Sequence, residues 1–176
     1  MTASSFQRWS LIPLVAVLLM SARTPASEPT AIAEKYTPRL EKILTANIVP
    51  FWQEKSLDRT NGGYIISFDA QGRLKEPVTK MIVTQARQVW LFSRLARAGY
   101  EPARNLEAAR LGYRFLKDKM WDSAHGGFFW EVDVMGDRVL KPNKHLYGQS
   151  FALYAVSEYA LAGGDKDALD FAVQFF

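Results

Sequence analysis

The chain of 176 residues contains no cysteine, so neither disulfides nor thiol chemistry are available to it. Histidine is almost as scarce: His125 and His145 are the whole supply. No acid–histidine spacing of the zinc type occurs, so no metal site is expected, and the expected chemistry has no cofactor. No basic run offers a surface for nucleic acid. The apolar run "LIPLVAVLLM", Leu11 to Met20, is only ten residues long, too short to span a bilayer. It follows a short polar start carrying Arg8 and precedes small residues ending at Ala26. That order is a signal-peptide pattern, with an uncleaved anchor as the competing reading. The expected organisation is a signal peptide over residues 1–26 and a mature chain over 27–176. The mature chain is expected to be periplasmic or secreted and free of the membrane after cleavage. Without Arg8 and Arg23 the 22 basic residues become 20 against 18 acidic, so the net charge falls from +4 to +2.

What the chain does have is a repeat. "DRTNGGYIISFD" (Asp58 to Asp69) and "DSAHGGFFWEVD" (Asp122 to Asp133) align without a gap at an offset of 64 residues, Asp58 to Asp122. Beyond these stretches Gly72 meets Gly136, Lys80 meets Lys144 and Gln85 meets Gln149. Ser93 then meets Ser157, Ala96 meets Ala160 and Gly99 meets Gly163. A fixed period of this length marks one supersecondary unit used repeatedly.

The unit is a helical hairpin. "KMIVTQARQVWLFSRLARAG" and "KHLYGQSFALYAVSEYALAG" are apolar on nearly every side, the mark of enclosed helices, and Gly99 and Gly163 stand where C-terminal caps belong. The stretch between them has one apolar stripe, Leu106, Ala109, Tyr113, Leu116 and Met120, with Pro102 suited to its first turn. Leu40, Ile43, Leu44 and Ile48 repeat the one-sided pattern, and a further helix is expected from Asp165. Enclosed helices form an inner ring and one-sided helices an outer ring. The predicted fold is therefore all-α, an α/α toroid. Each GG segment has β-rich composition and is predicted to form a short β-hairpin at one mouth of the ring. The paired glycines are first of all turn residues.

Asp-x-x-x-Gly-Gly-aromatic, then Gln85-Ala86-Arg87-Gln88-Val89-Trp90, then Lys144-His145-Leu146-Tyr147-Gly148-Gln149-Ser150-Phe151 with Ser157-Glu158-Tyr159, resembles the N-acylglucosamine 2-epimerase family. That family includes cellobiose 2-epimerases and mannose isomerases. The resemblance covers roughly Tyr36 onward and implies an (α/α)6 barrel. It also implies a small-molecule sugar substrate whose C2 proton is removed and returned through an enediolate. Such chemistry needs acid–base groups near neutral pKa and a donor where oxyanion charge develops.

By the resemblance, Arg87 matches a substrate-binding arginine and Tyr147 a position lining the sugar pocket. Arg87 is also anomalous in an apolar helix, which calls for either a polar cavity or a structural ion pair. Tyr147 and Trp90 are each open to a core role or a sugar-contacting one. Phe129 and Trp130 either floor the mouth or pack onto their own ring. His145 is a candidate for lining the mouth, and His125 reads as a turn residue. The family's catalytic histidines and their neighbouring glutamate have no counterpart here, so the catalytic acid and base stay unassigned.

Six hairpins at this spacing need on the order of 380 residues. Residues 27–176 hold about two and a half, so an incomplete toroid is expected, the N-terminal portion of a longer enzyme and inactive alone. Two other functions stay open: a glycoside hydrolase or lyase on an α/α toroid, using carboxylates such as Asp58 and Asp122, and a non-catalytic sugar-binding module. The oligomeric state is left open. The processed chain is expected to start near Ser27, and mass spectrometry of the exported protein checks this. Recovery from the cytoplasm with Met1 retained would contradict it.

Overall fold

The computed structural model describes residues 31–176, and the signal-peptide reading with its expected start at Ser27 lies outside them. The chain divides between Arg39 and Leu40 into two compact units. Of the first, residues 31–39 are described, and they are the opening of helix α1 (Ala31–Ile43). The second unit holds every other element.

In it, a π-helical turn at Leu44–Ile48 leads into α2 (Val49–Lys55). The first GG loop follows, then strand β1 (Thr79–Met81) and α3 (Ile82–Arg97). Helix α4 (Pro102–Phe115) continues through a π-helical turn at Leu116–Met120. The second GG loop carries β2 (Glu131–Asp133) and β3 (Val139–Lys141), and α5 (Leu146–Leu161) and α6 (Ala168–Phe175) complete the order. Helix α3 packs against both α4 and α5, and α6 against α5. This is the inner–outer alternation of an α/α toroid. No helix among the described residues is long and apolar enough to cross a membrane.

The predicted stripe of α4 is the buried one: Ala109, Tyr113, Leu116 and Met120 are sealed in the core, with Leu106 packed at its margin. Pro102 opens the helix, where its missing N–H removes no bond. The inner helices end alike. Gly99 (φ +89°) donates its N–H to Ala96 at 3.1 Å while Tyr100 donates to Leu95 at 3.0 Å. Gly163 (φ +84°) donates to Ala160 at 3.2 Å and Gly164 to Tyr159 at 3.0 Å. Both are Schellman caps, which need a left-handed residue at that place.

The repeat has one physical cause, a latch between each GG loop and the helix after it. The Gln85 carboxamide accepts the Tyr64 N–H at 2.8 Å and donates to the Tyr64 carbonyl at 2.7 Å. Gln149 does the same to Phe128, at 2.8 Å and 2.9 Å. An amide so placed imitates a strand neighbour and satisfies a buried backbone pair. It must come close, and this explains the second glycine. A Cβ on Gly63 would lie 2.6 Å from Gln85 Oε1, and one on Gly127 3.2 Å from Gln149 Oε1. Both glycines also have positive φ, +68° and +80°. The aromatic that follows is driven into the core. Tyr64 and Phe128 are fully buried. The Tyr64 ring lies on Gly112, where a Cβ would come within 2.2 Å of it.

An ion pair closes each loop. Lys80 Nζ donates to Asp58 Oδ2 at 2.8 Å, and Lys144 Nζ to Asp122 Oδ2 at 2.6 Å. The settings differ. Lys80 is wholly buried, donates also to the Gly62 carbonyl and lies 4.4 Å from the centre of the Phe115 ring. The Lys144 side chain keeps 28% of its surface.

Five expectations are corrected. The first GG segment forms no regular hairpin: a single bridge joins Phe68 and Leu74. Its strand content lies later, in β1, which pairs antiparallel with β2, so the two loops share one sheet of order β1-β2-β3. The inner helices start two residues later than the apolar pattern, at Ile82 and Leu146, because Lys80 and Lys144 are held outside by their carboxylates. The last helix starts at Ala168, not Asp165. Asp165 instead binds Arg110 at 2.9 Å, and Asp167 binds Lys117. Leu40, Ile43 and Ile48 are exposed, and of that stripe Leu44 alone meets the core, since no described element covers the rest. Finally, α5 is enclosed on one side only, with Leu146, Tyr147, Tyr154 and Leu161 exposed.

The two ion pairs give the same substitution two different costs. Asp58→Asn should cost about 3 kcal/mol, because it leaves the buried Lys80 without a counter-charge. Asp122→Asn should cost far less, because water reaches Lys144 and the asparagine still caps its turn. Urea denaturation of the two variants checks the contrast, and equal losses would refute it.

Candidate functional site

Helix α3 presents Thr84, Arg87 and Leu91 along one face, spaced three and four residues apart. That face floors a cleft of about 610 Å³. Gln88 and Trp90 flank it, Trp52 of α2 and Ile66 of the first GG loop wall one side, and Phe151 and Tyr154 of α5 wall the other. The cleft is aromatic and carries one cation.

Arg87 is exposed in this cleft, its guanidinium 5.7 Å from the centre of the Phe151 ring. It has no hydrogen bond or ion pair among the described residues, so the structural pairing open to it from sequence is not made there. The contact with Phe151 leaves its donors free. Trp90 is half-buried and stacks on Tyr154 with centroids 5.2 Å apart and planes 18° apart. Tyr147 is 59% exposed and meets the edge of Phe151 at 4.9 Å. Arg87 and Tyr147 are thus brought to the same ring.

His145 stands apart. It is exposed at the residue before α5 and meets the edge of Trp130 at 4.8 Å. Trp130 packs over Gly148, and the Phe129 ring lies 5.7 Å from Lys144 Nζ, so these hairpin aromatics serve their own unit rather than the cleft. His125 is a turn residue: its N–H donates to Asp122 Oδ1 at 3.2 Å and its Nδ1 lies 3.3 Å from Oδ2. Neither histidine lines the cleft.

Trp52, Ile66, Thr84, Gln88, Leu91, Phe151 and Tyr154 complete the cleft, and nothing in the sequence analysis assigns them to a site. The repeat carried a usable signal for two of them. Arg87 over Phe151 and Trp90 on Tyr154 are both pairs separated by the 64-residue offset. Equivalent positions on successive inner helices meet, so each site residue points to the next.

The carboxylates of the GG loops are committed elsewhere. The Lys144 ammonium, opposed by burial and helped by the N–H groups of Ala124 and His125, lowers the Asp122 pKa to about 2. Burial works against ionisation of Asp58, but its bonds to Lys80 and Asn61 outweigh this and hold its pKa below the usual carboxylate range. Lys141 and Thr79 do the same for Glu131. Acids so held stay ionised near neutrality and cannot donate a proton there. A second cleft of about 390 Å³ lies along α4, but its helix arginines are compensated, Arg104 by Glu101 and Arg110 and Arg114 by Asp165.

The pKa of Asp122 gives a signed pH dependence. Its folded value lies below the unfolded one of about 3.9, so its stabilising contribution is complete above that value and is lost as pH falls toward 2. Carboxyl carbon NMR should show Asp122 titrating near pH 2. Lys144→Met should bring it back toward the ordinary range, and an unchanged titration would refute the cause given.

Comparison with known proteins places this geometry. Residues 63–176 match the model of the N-acylglucosamine 2-epimerase (GlcNAc 2-epimerase) family. The chain is 39% identical over 138 residues to a cellobiose 2-epimerase of Dictyoglomus turgidum, covering 76% of this chain and 33% of that protein. It superposes on a cellobiose 2-epimerase from Spirochaeta thermophila with a TM-score of 0.76 and 35% identity, covering 85% of this chain and 36% of the other. A D-mannose isomerase structure matches with a TM-score of 0.66 and 25% identity, over 81% of this chain and 34% of that one. The chain spans about a third of the length of the curated relatives it matches.

Proposed function

Because the chain belongs to the N-acylglucosamine 2-epimerase family, we propose that it supplies the sugar-binding part of an exported carbohydrate 2-epimerase or aldose–ketose isomerase acting on a mono- or disaccharide. In that reaction the ring opens and a base removes the C2 proton. The electron pair delocalises onto the C1 oxygen as an enediolate. A proton then returns to the opposite face of C2 in epimerisation, or to C1 in isomerisation.

The observation that carries this reading is Arg87, a cation without a carboxylate partner among the described residues, in an aromatic cleft. Aromatic faces suit the C–H faces of a sugar, and a free guanidinium suits an oxygen that gains negative charge in the transition state. Trp52, Trp90 and Tyr154 provide such faces, and the exposed Tyr147 packs against the edge of Phe151 beside them. The glycosidase reading loses support, since Asp58 and Asp122 are each bound to lysine and to turn N–H groups. Proton transfer is assigned to groups outside this set, since His125 and His145 both lie away from the cleft. The chain on its own is therefore expected to bind sugar and not to turn it over.

Two measurements test this. Titration with cellobiose, mannose and N-acetylglucosamine, followed by tryptophan fluorescence, should show binding that Arg87→Ala weakens about tenfold, the loss of one charge-assisted contact. Incubation in D2O should leave C2 unlabelled. Absence of binding by any of the three sugars would overturn the binding role. Steady labelling would return acid–base duty to residues of this chain.

A further inference from the structure

Five glutamines run from Gln53 to Gln149 inclusive, and the buried or half-buried ones are used in different ways. Gln53 donates to Asn105 at 2.8 Å and to Glu101 at 3.1 Å. Gln85 and Gln149 each use both ends of the carboxamide on a GG loop. Gln88 is only 8% exposed, yet its carboxamide has no partner among the described residues, and its Oε1 is sealed from solvent. An unmet buried acceptor costs roughly 1–3 kcal/mol, a penalty that folded proteins seldom keep without a use.

Its position suggests the use. Gln88 lines the cleft next in sequence to Arg87, itself without a polar partner. On the other flank of the same face, Trp90 Nε1 is a buried donor without an acceptor. Residues two apart on a helix point about 200° apart, so Gln88 and Trp90 meet different groups of anything lying over the Thr84–Arg87–Leu91 face. A carboxamide offers an acceptor and two donors, and a turn about its last bond exchanges them. A sugar hydroxyl is likewise both donor and acceptor. An apolar occupant would leave the amide unsatisfied.

We propose that Gln88 is a specificity-determining residue of this cleft, whose carboxamide reads a sugar hydroxyl on the flank opposite Trp90. The inference rests on the sugar-binding reading above. It goes further in assigning discrimination between hydroxyl patterns to Gln88, and charge stabilisation to Arg87. A site built to bond a hydroxyl rejects an analogue that lacks it, because the protein group is then left unpaired.

The test uses the full chain and, of cellobiose, mannose and N-acetylglucosamine, whichever binds it most tightly, with the set of monodeoxy analogues of that sugar. The wild-type chain should bind one deoxy analogue about tenfold more weakly than the parent. Gln88→Leu should bind the parent about tenfold more weakly and no longer distinguish that analogue. Its melting temperature should equal or exceed that of the wild type, because an unpaired polar group has been removed from the interior. The Trp90 indole N–H resonance should shift on sugar binding in both proteins. If wild-type chain binds sugar while Gln88→Leu binds and discriminates equally well, or if Gln88→Leu lowers the melting temperature without changing discrimination, the role of Gln88 is refuted and the sugar-binding reading stands. If no sugar moves the Trp90 resonance or the fluorescence, both fall together.

Discussion

The hydrogen-bonded latch between a glutamine on each inner helix and the backbone of the GG-aromatic loop before it is the contact on which the arrangement depends. Helix and loop are 21 residues apart in sequence in both copies. Only a side chain with a donor and an acceptor in one plane can satisfy both backbone groups at once. The second glycine allows the approach, and the aromatic that follows is then committed to the core. Inner helix, loop and outer helix are thereby joined at one point, and the offset of 64 residues is the distance between successive uses of it.

The same latch carries an ion pair whose worth depends on its setting. Asp58 and Lys80 are shut in by Phe115 and the Gly62 carbonyl. Asp122 and Lys144 perform the same turn chemistry in contact with water. Buried charge tolerates little change, because either partner left alone faces the full loss of hydration. This commitment also removes these carboxylates from the list of acids a reaction could use.

What remains for chemistry is what the latch leaves free on α3. One turn along from the satisfied Gln85, the helix offers Arg87, Gln88 and Trp90 to a cleft, none of them with a polar partner among the described residues. Gln85 of the frame is bonded at both ends of its carboxamide, whereas Gln88 of the cleft is bonded at neither. Exposure does not separate the two glutamines, since Gln88 is as buried as many frame residues.

Much of this was legible in the residues themselves. The offset, the enclosed and one-sided helices, the stripe from Leu106 to Met120 and the caps at Gly99 and Gly163 depend on local periodicity and on backbone angles that only particular residues adopt. Arg87 drew attention as a charge in an apolar helix, and the family resemblance supplied Tyr147. Other features depended on which distant groups meet. A three-residue strand such as β1 has no periodicity to read and exists because β2 lies beside it. The apolar stripes of α1 and α5 show that a face can be covered, not that it is. Gln85 and Gln88 are the same residue type three positions apart on one helix, and in sequence only the repeat separates them, returning Gln149 for Gln85 but Ala152 for Gln88. The amino-acid sequence by itself determined the helices, their repeat and their polarity pattern. Only the tertiary structure decided that one glutamine is locked to a loop and the other left unpaired beside a cleft, because a hydrogen bond depends on the partner that folding brings within reach.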